Sequence, residues 1–534
     1  MTMTERREAG EQASRGAGED KNTPVLNPAD SALALGLLVG ATAVLAGVVL
    51  AFGGPIAGAA VVLGGLSTIL VLRNIELGFF AVIAVVALLP FATLPFDIGL
   101  TPTFLDFALG AAIGVWLLGI VTGRQRRLVT APVALPLILF IIVAVFAFIF
   151  GLANGPLTPT LLRKFAELLL SLGFVIIVID YCRTWLRLER LVKFLLLMGA
   201  AAAVIAIGLW LLPDDTANSA LNALARLGYP GGWVIRYIEE NPELSERAIG
   251  TSVDPNSLGG LLLMIGALVG PQIATKQPLF RRGIIWGIAG LVFIALILTF
   301  SRGAMLGLAA GLGFVAVARY RRLLPYMALA AVLLLLLPVT QAYIGRFVEG
   351  FQGTDLATQM RFGEYKDALR LIARYPIFGV GFAGSPDIDL YTAVASVYFT
   401  IAGRMGLFGL SAFLGVIGTV FAYAFRHRHA ARADERHDAV WLGLHAALIG
   451  ALVAGVFDHY LFNMDFPHAV TIFWMVLGMA VAGTRLAVED TEEKEHVDRF
   501  AVIDQFRQKS AGIPTDEVLD DVAGAIEAVR AERS

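Results

Sequence analysis

Long apolar blocks limit the folds open to this chain more than any other feature of its sequence. A helix needs about 20 apolar residues to cross the hydrocarbon core of a bilayer. On that rule the chain predicts about fourteen spans, at 31–52, 56–73, 76–96, 103–122, 131–153, 163–182, 190–212, 257–275, 283–301, 303–320, 324–344, 394–424, 438–462 and 468–487. The ninth and tenth are short and meet at Ser301 and Arg302. Composition points the same way: 57% of the 534 residues are apolar and 16% charged, against about 25% charged in a soluble domain. This excludes a soluble enzyme, a disordered chain and a nucleic-acid binder. A net charge of −2 offers no global field for anionic partners. The single cysteine, Cys182, excludes an intramolecular disulfide framework and a cysteine-rich metal site. The expected fold is all-α, a polytopic transmembrane helical bundle.

Orientation follows from where Lys and Arg fall in the short loops. With the N-terminus inside, the inner loops hold Arg73; Arg124, Arg126 and Arg127; Arg183, Arg187, Arg190 and Lys193; Lys276, Arg281 and Arg282; Arg319, Arg321 and Arg322; and Arg426, Arg428, Arg432 and Arg436. The short outer connections hold only Arg163, Lys164 and Arg302. Both termini are therefore expected in the cytoplasm, with long outer loops at about 213–256 and 345–393. Function is expected in those loops, because mere connections need no such length.

The chain divides into a polar tail, 1–30, a bundle, 31–487, and a charged tail, 488–534. The first tail is expected to be disordered and is not a cleavable signal, since some thirty polar residues precede the first long span. In the last, Val518, Leu519, Val522, Ile526 and Val529 recur at helical spacing after Thr515, a suitable N-cap. This predicts an amphipathic helix resting on the membrane or on a partner.

Charges at the edge of a bilayer are costly and usually functional. Arg302, at the turn between two spans, can clamp phosphate oxygens through both edges of its guanidinium, or anchor among lipid headgroups. Arg247, Gly250, Thr251, Asp254, Pro255 and Asn256 precede the eighth span. There Asn256 is expected to cap a helix whose N-terminus favours an anion. Between Arg361 and Arg374, apolar and charged residues alternate at helical spacing, predicting a surface helix stopped by Pro376, Gly379 and Gly381. Arg361 and Glu364 at its start are the site candidates, while Lys366, Arg370 and Arg374 suit a solvated face. Asp458 and His459 lie in the outer connection before the last span. Adjacent residues do not face one another on a helix, so no direct dyad is expected of them. The histidines lack metal-ligand spacing. Of the remaining charges within spans, Asp106, Glu167, Asp180 and Arg404 are isolated or near ends.

In this order the motifs resemble the O-antigen ligase and polymerase family of bacterial inner-membrane proteins. They are Gly250-Thr251 to Asp254-Pro255-Asn256, Ser301-Arg302-Gly303, Arg361 to Pro376-Ile-Phe-Gly379-Val-Gly381, and Tyr398-Phe399 to Gly406-Leu-Phe-Gly409-Leu410. The resemblance covers about 245–485. It implies transfer of a glycan from a polyprenyl-diphosphate carrier to an acceptor hydroxyl on the outer face of the inner membrane, with no metal or cofactor. It places Arg302 and Arg361 on the diphosphate, with Arg247, Asp254, Asn256 and Tyr398 as substrate-binding residues. Ligases carry a His-Asn pair just before the aromatic residue that opens the helix after the large loop. This chain has Ala395-Ser396 there. Either the chain belongs to the polymerase side, where that His is not uniform, or Asp458, His459 or Glu364 replaces it as base, or catalytic function has been lost.

The leading expectation is thus a polymerase of surface polysaccharide, whose partners are a carrier-linked glycan, an acceptor glycan and membrane lipids, with no nucleic acid. The sequence sets no oligomeric state. A ligase stands second. A flippase for lipid-linked oligosaccharide is the alternative from another class, and it calls for charges along a central path within the helices. The candidate chemistry gathers at outer connections instead.

Overall fold

The structure, a computed structural model, describes residues 71, 73–94, 101–123, 128–325, 327–329, 356–384, 394–509 and 515–532. The expected polar tail 1–30 lies outside them, as do the spans 31–52, 56–73 and 324–344 but for a few end residues.

The remaining expected spans are helices: α1 (Ile75–Leu88), α2 (Phe104–Val121), α3 (Ala134–Gly151), α4 (Pro159–Tyr181) and α5 (Trp185–Trp210). A short helix α6 (Asp214–Ala223) follows, then α7 (Pro255–Ala274), α8 (Arg282–Leu298) and α9 (Arg302–Ala318). After these come α10 (Leu356–Arg374), α11 (Val397–Arg426), α12 (Glu435–Ala454), α13 (Pro467–Lys509) and α14 (Thr515–Glu532). Seven of them, α2, α3, α5, α7, α11, α12 and α13, are long and apolar enough to cross a membrane. Helices α1, α8 and α9 are apolar but shorter. Helix α4 has 23 residues but carries Arg163, Lys164, Glu167 and Asp180. The protein is a mostly helical membrane protein; the paired strands among the described residues, Arg236–Tyr237 and Glu246–Arg247, form one two-residue hairpin.

A helix apolar all round belongs at the centre of a bundle. Helix α13 is that helix, buried from Ala469 through Ala487 between α4 and α12. Apolar side chains such as Leu135, Phe150 and Leu211 face outward elsewhere, as a lipid-facing surface requires.

Several elements differ from expectation; helix α1, for one, stops at Leu88 instead of running to 96. Helix α12 stops at Ala454 instead of continuing to 462, because the start of α11 captures the chain that follows. The Val397 amide donates to the carbonyls of Gly455 (2.8 Å) and Asp458 (3.0 Å). Helix α13 does not end near 487 but runs to Lys509; residues 488–509 contain no Gly or Pro and many good helix formers. The loop 213–254 is a packed cap, with Ala217, Leu221, Tyr229, Val234, Ile235, Ile249 and Val253 forming a small core with Ala92.

Two glycine-dependent contacts position the site. Gly303, Gly307 and Gly311 form a stripe on α9 that lies against Ala446, Gly450 and Ala454 of α12, also four apart. Without a hydrophobic driving force in lipid, such small-residue stripes let helices approach closely. A Cβ at Gly311 would sit 2.6 Å from the Ala446 carbonyl oxygen.

The second contact is a break in α11. Gly406 has φ 67° and ψ −172°, which interrupts the helical ladder. The chain Pro376–Gly381 fills the break. The amides of Val380 and Gly381 donate to the carbonyls of Gly403 (2.9 Å) and Arg404 (2.8 Å), and the Leu407 amide donates to the Pro376 carbonyl (2.7 Å). Irregular backbone at membrane depth needs such internal partners. Gly379 (φ 67°) and Gly381 (φ 79°) are also left-handed. A Cβ on Gly379 would lie 2.5 Å from the Arg404 carbonyl carbon. Two motifs that read as separate in sequence are thus one lock, holding α10 against α11.

Candidate functional site

The site lies where α7 and α9 begin and α12 ends. Ser301, Arg302, Gly303 and Ala304 of α9's first turn line a cavity of about 110 Å³ with Arg247, Asn256, Arg361, Asp458 and Tyr460; Ile238, Glu239, Phe300, Ala454 and Phe457 complete the wall. Its size suits a phosphate-sized group, not a whole glycan; pockets for drug-sized ligands reach about 300–1,000 Å³.

Each cation arrives by a different route. Arg302 is the first residue of α9, after Ser301, which makes no side-chain cap hydrogen bond. The stripe below it presses that turn against Phe457 and Ala454. Arg247 leaves the hairpin and acts as a strut: its Nε donates to the Thr299 carbonyl and its Nη2 to Asn256 Oδ1, both at 2.8 Å. The Ala248 amide reaches the Leu298 carbonyl at 2.8 Å. Burial lowers the Arg247 pKa, and Asp254 and Asp458 oppose that shift. Arg361 comes from α10, which the lock and its own neighbours hold in place. Tyr365 Oη donates to the carbonyls of Ala395 and Val456, both at 3.1 Å, and Glu364 Oε2 accepts from the Ala395 amide at 2.9 Å.

Burial raises the Asp458 pKa; Asp254 adds to the rise, while His459 and Arg361 draw it down. Asp458 Oδ1 accepts from the His459 amide at 2.8 Å. The His459 ring makes no hydrogen bond to it: Nδ1 is 3.8 Å from Oδ1.

Strain marks the same place. Glu239, Val253 and Phe300 have φ of 54°, 57° and 53°, a region that non-glycine side chains rarely adopt and that costs about 1–3 kcal/mol each. Glu239 and Phe300 line the cavity, and Val253 precedes the N-cap of α7.

Of the residues singled out in the sequence, Arg247, Asn256, Arg302, Arg361 and Asp458 meet in this cavity. Four others lie elsewhere. Asp254, not Asn256, caps α7, its Oδ1 accepting from the Ser257 amide at 2.7 Å; Asn256 is turned to Arg247 because the cap position was already filled. Glu364 serves the Ala395 backbone. His459 adjoins Asn463, at 3.3 Å. Tyr398 donates to the Leu452 carbonyl at 2.9 Å and lies in a separate apolar cleft with Val397 and Phe413. Sequence reasoning missed Tyr460, which enters the cavity beside Gly260, where any side chain would collide with its ring. It also missed the buried pair Ser257 Oγ and His468 Nε2, 2.8 Å apart, joining α7 to α13. No spacing rule links residues 211 positions apart. Among the described residues no three His, Cys, Asp or Glu side chains gather as metal ligands.

Fold and site together define a polytopic helical membrane protein with a cationic cavity at one end of its bundle. Residues 287–414 match the family model described as O-antigen ligase, which supports assignment to the O-antigen ligase and polymerase family. The match is narrower than the 245–485 over which the motifs run. It takes in Arg302, Arg361 and the lock, and leaves Arg247 and Asp458 outside. No curated protein matches the chain.

Proposed function

We propose that the protein is a polymerase of surface polysaccharide that moves a glycan from a polyprenyl-diphosphate carrier to the hydroxyl of an acceptor glycan. The observation that carries this reading is the convergence of Arg302, Arg361 and Asp458, from three separate elements, on one cavity. In the transfer, the bond between the anomeric carbon and the carrier's phosphate oxygen breaks, and its electron pair leaves on the diphosphate. Arg302 and Arg361 stabilise that charge, aided by the N-terminus of α9. The acceptor oxygen bonds to the anomeric carbon, and its proton passes to the Asp458 carboxylate. A carboxylate whose pKa is raised by burial is a better base than a solvated one. Arg247 is a positioning residue, holding the α8–α9 turn that presents Arg302.

The basic bias of the loops at the opposite end supports a cavity facing outward across the bacterial cytoplasmic membrane, with both termini inside and about fourteen spans. Some of those basic residues also tie helices together: Arg319 grips Asp438 (3.0 Å) and Arg436 grips Glu189 (2.6 Å). A ligase is the second reading, favoured by the description of the matched family model. Ala395-Ser396, where ligases carry His-Asn, favours the polymerase.

The test is the profile of surface glycan and carrier-linked intermediates in a strain lacking the protein, complemented with wild type, Arg302→Ala or Asp458→Asn. Single carrier-linked repeats that lengthen only with wild type support the polymerase. Accumulated full-length carrier-linked polymer moves the assignment to the ligase. An unchanged profile refutes both.

A further inference from the structure

Arg404 is a charge that the proposed reaction does not use. It lies seven residues into α11, about 10 Å along the helix from its start at the cavity end. Its Nε is buried without a hydrogen-bond partner. Among the described residues the guanidinium makes no hydrogen bond or ion pair. It lies over the Phe382 ring, 5.6 Å from Cζ to the centroid. Asp465, the acidic group whose charge acts on it, is engaged by Lys164. The peptide groups around it are committed to the lock: its own carbonyl holds the Gly381 amide.

The floor beneath the guanidinium is buried and packed. Phe382 packs on Phe165 (5.2 Å) and Phe462 (6.4 Å). The 3-10 turn Tyr460–Phe462 stands between this place and the arginine cavity, Tyr460 facing the cavity and Phe462 touching Phe382. An unpaired guanidinium at membrane depth is costly, and such groups mark ligand pathways. A cation on an aromatic floor, which no anion among the described residues reaches by hydrogen bond or ion pair, is suited to meet an external one. The planar guanidinium fork matches phosphate oxygens.

We propose that Arg404 forms a second anion subsite, separate from the Arg302 cavity, for a phosphate borne by an amphiphile at the membrane surface. The amphiphile is either a bilayer phospholipid or a polyprenyl-diphosphate carrier. The second source rests on the polymerase reading, in which donor and acceptor are both carrier-linked.

The test uses the full chain in detergent, as wild type, Arg404→Met, Arg404→Lys and Arg302→Ala. The probes are a short-chain polyprenyl diphosphate, phosphatidylglycerol and, as a phosphate-free control, diacylglycerol. Binding is counted by native mass spectrometry and followed by thermal unfolding. Without probe, Arg404→Met is expected to melt no lower than wild type, because it removes an unpaired charge and keeps the packing volume. With a phosphate probe it is expected to lose at least about tenfold in affinity, with Arg404→Lys in between. A response to the diphosphate alone assigns the carrier; a response to phosphatidylglycerol alone assigns the phospholipid. Arg302→Ala should keep the Arg404-dependent binding, so failure of the cavity reading and failure of this one are separable. The proposal is overturned if Arg404→Met binds both phosphate probes as tightly as wild type. It is equally overturned if Arg404→Met melts lower or does not fold in their absence, which would make Arg404 a structural residue.

Discussion

Gly311→Ala tests how far the site depends on the helix contact beneath it. The added Cβ would sit 2.6 Å from the Ala446 oxygen and 3.3 Å from the Ala267 Cβ. Close C–H···O contacts settle at about 3.3 Å or more, so α9 must withdraw from α12 by roughly 0.7 Å. The oxygen belongs to a helix backbone and cannot swing away. Overpacking of this kind costs about 1–3 kcal/mol, against a gain of about 1 kcal/mol in helix propensity. Gly313→Ala, two residues on, is the control, since nothing lies within 4 Å of its Cβ. Both variants receive the same propensity gain, so the difference between them isolates the overlap. Gly311→Ala should be about 1–3 kcal/mol less stable than Gly313→Ala in thermal unfolding. The displacement travels along α9 to Arg302, and a misplacement near 1 Å can cost about 100-fold in rate. Shortened glycan from Gly311→Ala and normal glycan from Gly313→Ala are expected. Matching melting points and matching glycan lengths would show that this helix contact does not constrain the site.

Other substitutions probe the site directly. Arg302→Ala should abolish glycan assembly while leaving the amount of membrane-inserted protein unchanged; wild-type chain length would sink its role on the diphosphate. Asp458→Asn keeps an oxygen for the His459 amide but removes the base, and should lower transfer about 10²–10⁴-fold, measured as carrier-linked repeats converted per unit time. An unaffected rate would move the base elsewhere. Ala395→His should leave glycan length unchanged, because the cavity already contains a carboxylate; a gain in rate would place the base at 395. Glu246, with its pKa raised to about 7 by burial and by Asp214, gives a pH signature. A raised folded-state pKa contributes stability below the ordinary glutamate range and loses it as pH rises through about 7. Glu246→Gln should therefore melt higher than wild type at pH 8 and converge with it near pH 4. A lower melting point at pH 8 would contradict this.

Much of the site was visible one residue at a time and little of it as a set. Arg302 and Arg361 stood out because charge at a membrane edge is expensive wherever it occurs. Asn256 and Asp254 are equally good N-caps by residue type, and only the local backbone shows that Asp254 occupies the position. Glu364 looked like a base by residue type, but the fold spends it on the Ala395 amide. Tyr398 is motif-matched yet faces an apolar cleft.

Apolar length, periodicity and the cost of a charge in lipid are local properties, so the helical, membrane-type character of the described spans was legible residue by residue. The glycine stripe of α9, the small-residue row of α12 and the lock glycines are also present in the sequence, though without their partners. Only the tertiary structure decided that Gly406 breaks α11 and that Pro376–Gly381 fills the break. It alone set Asp458, more than 150 residues from Arg302, on the same cavity wall. Long-range approach of this kind depends on which helix faces meet, and one-dimensional spacing holds no record of that.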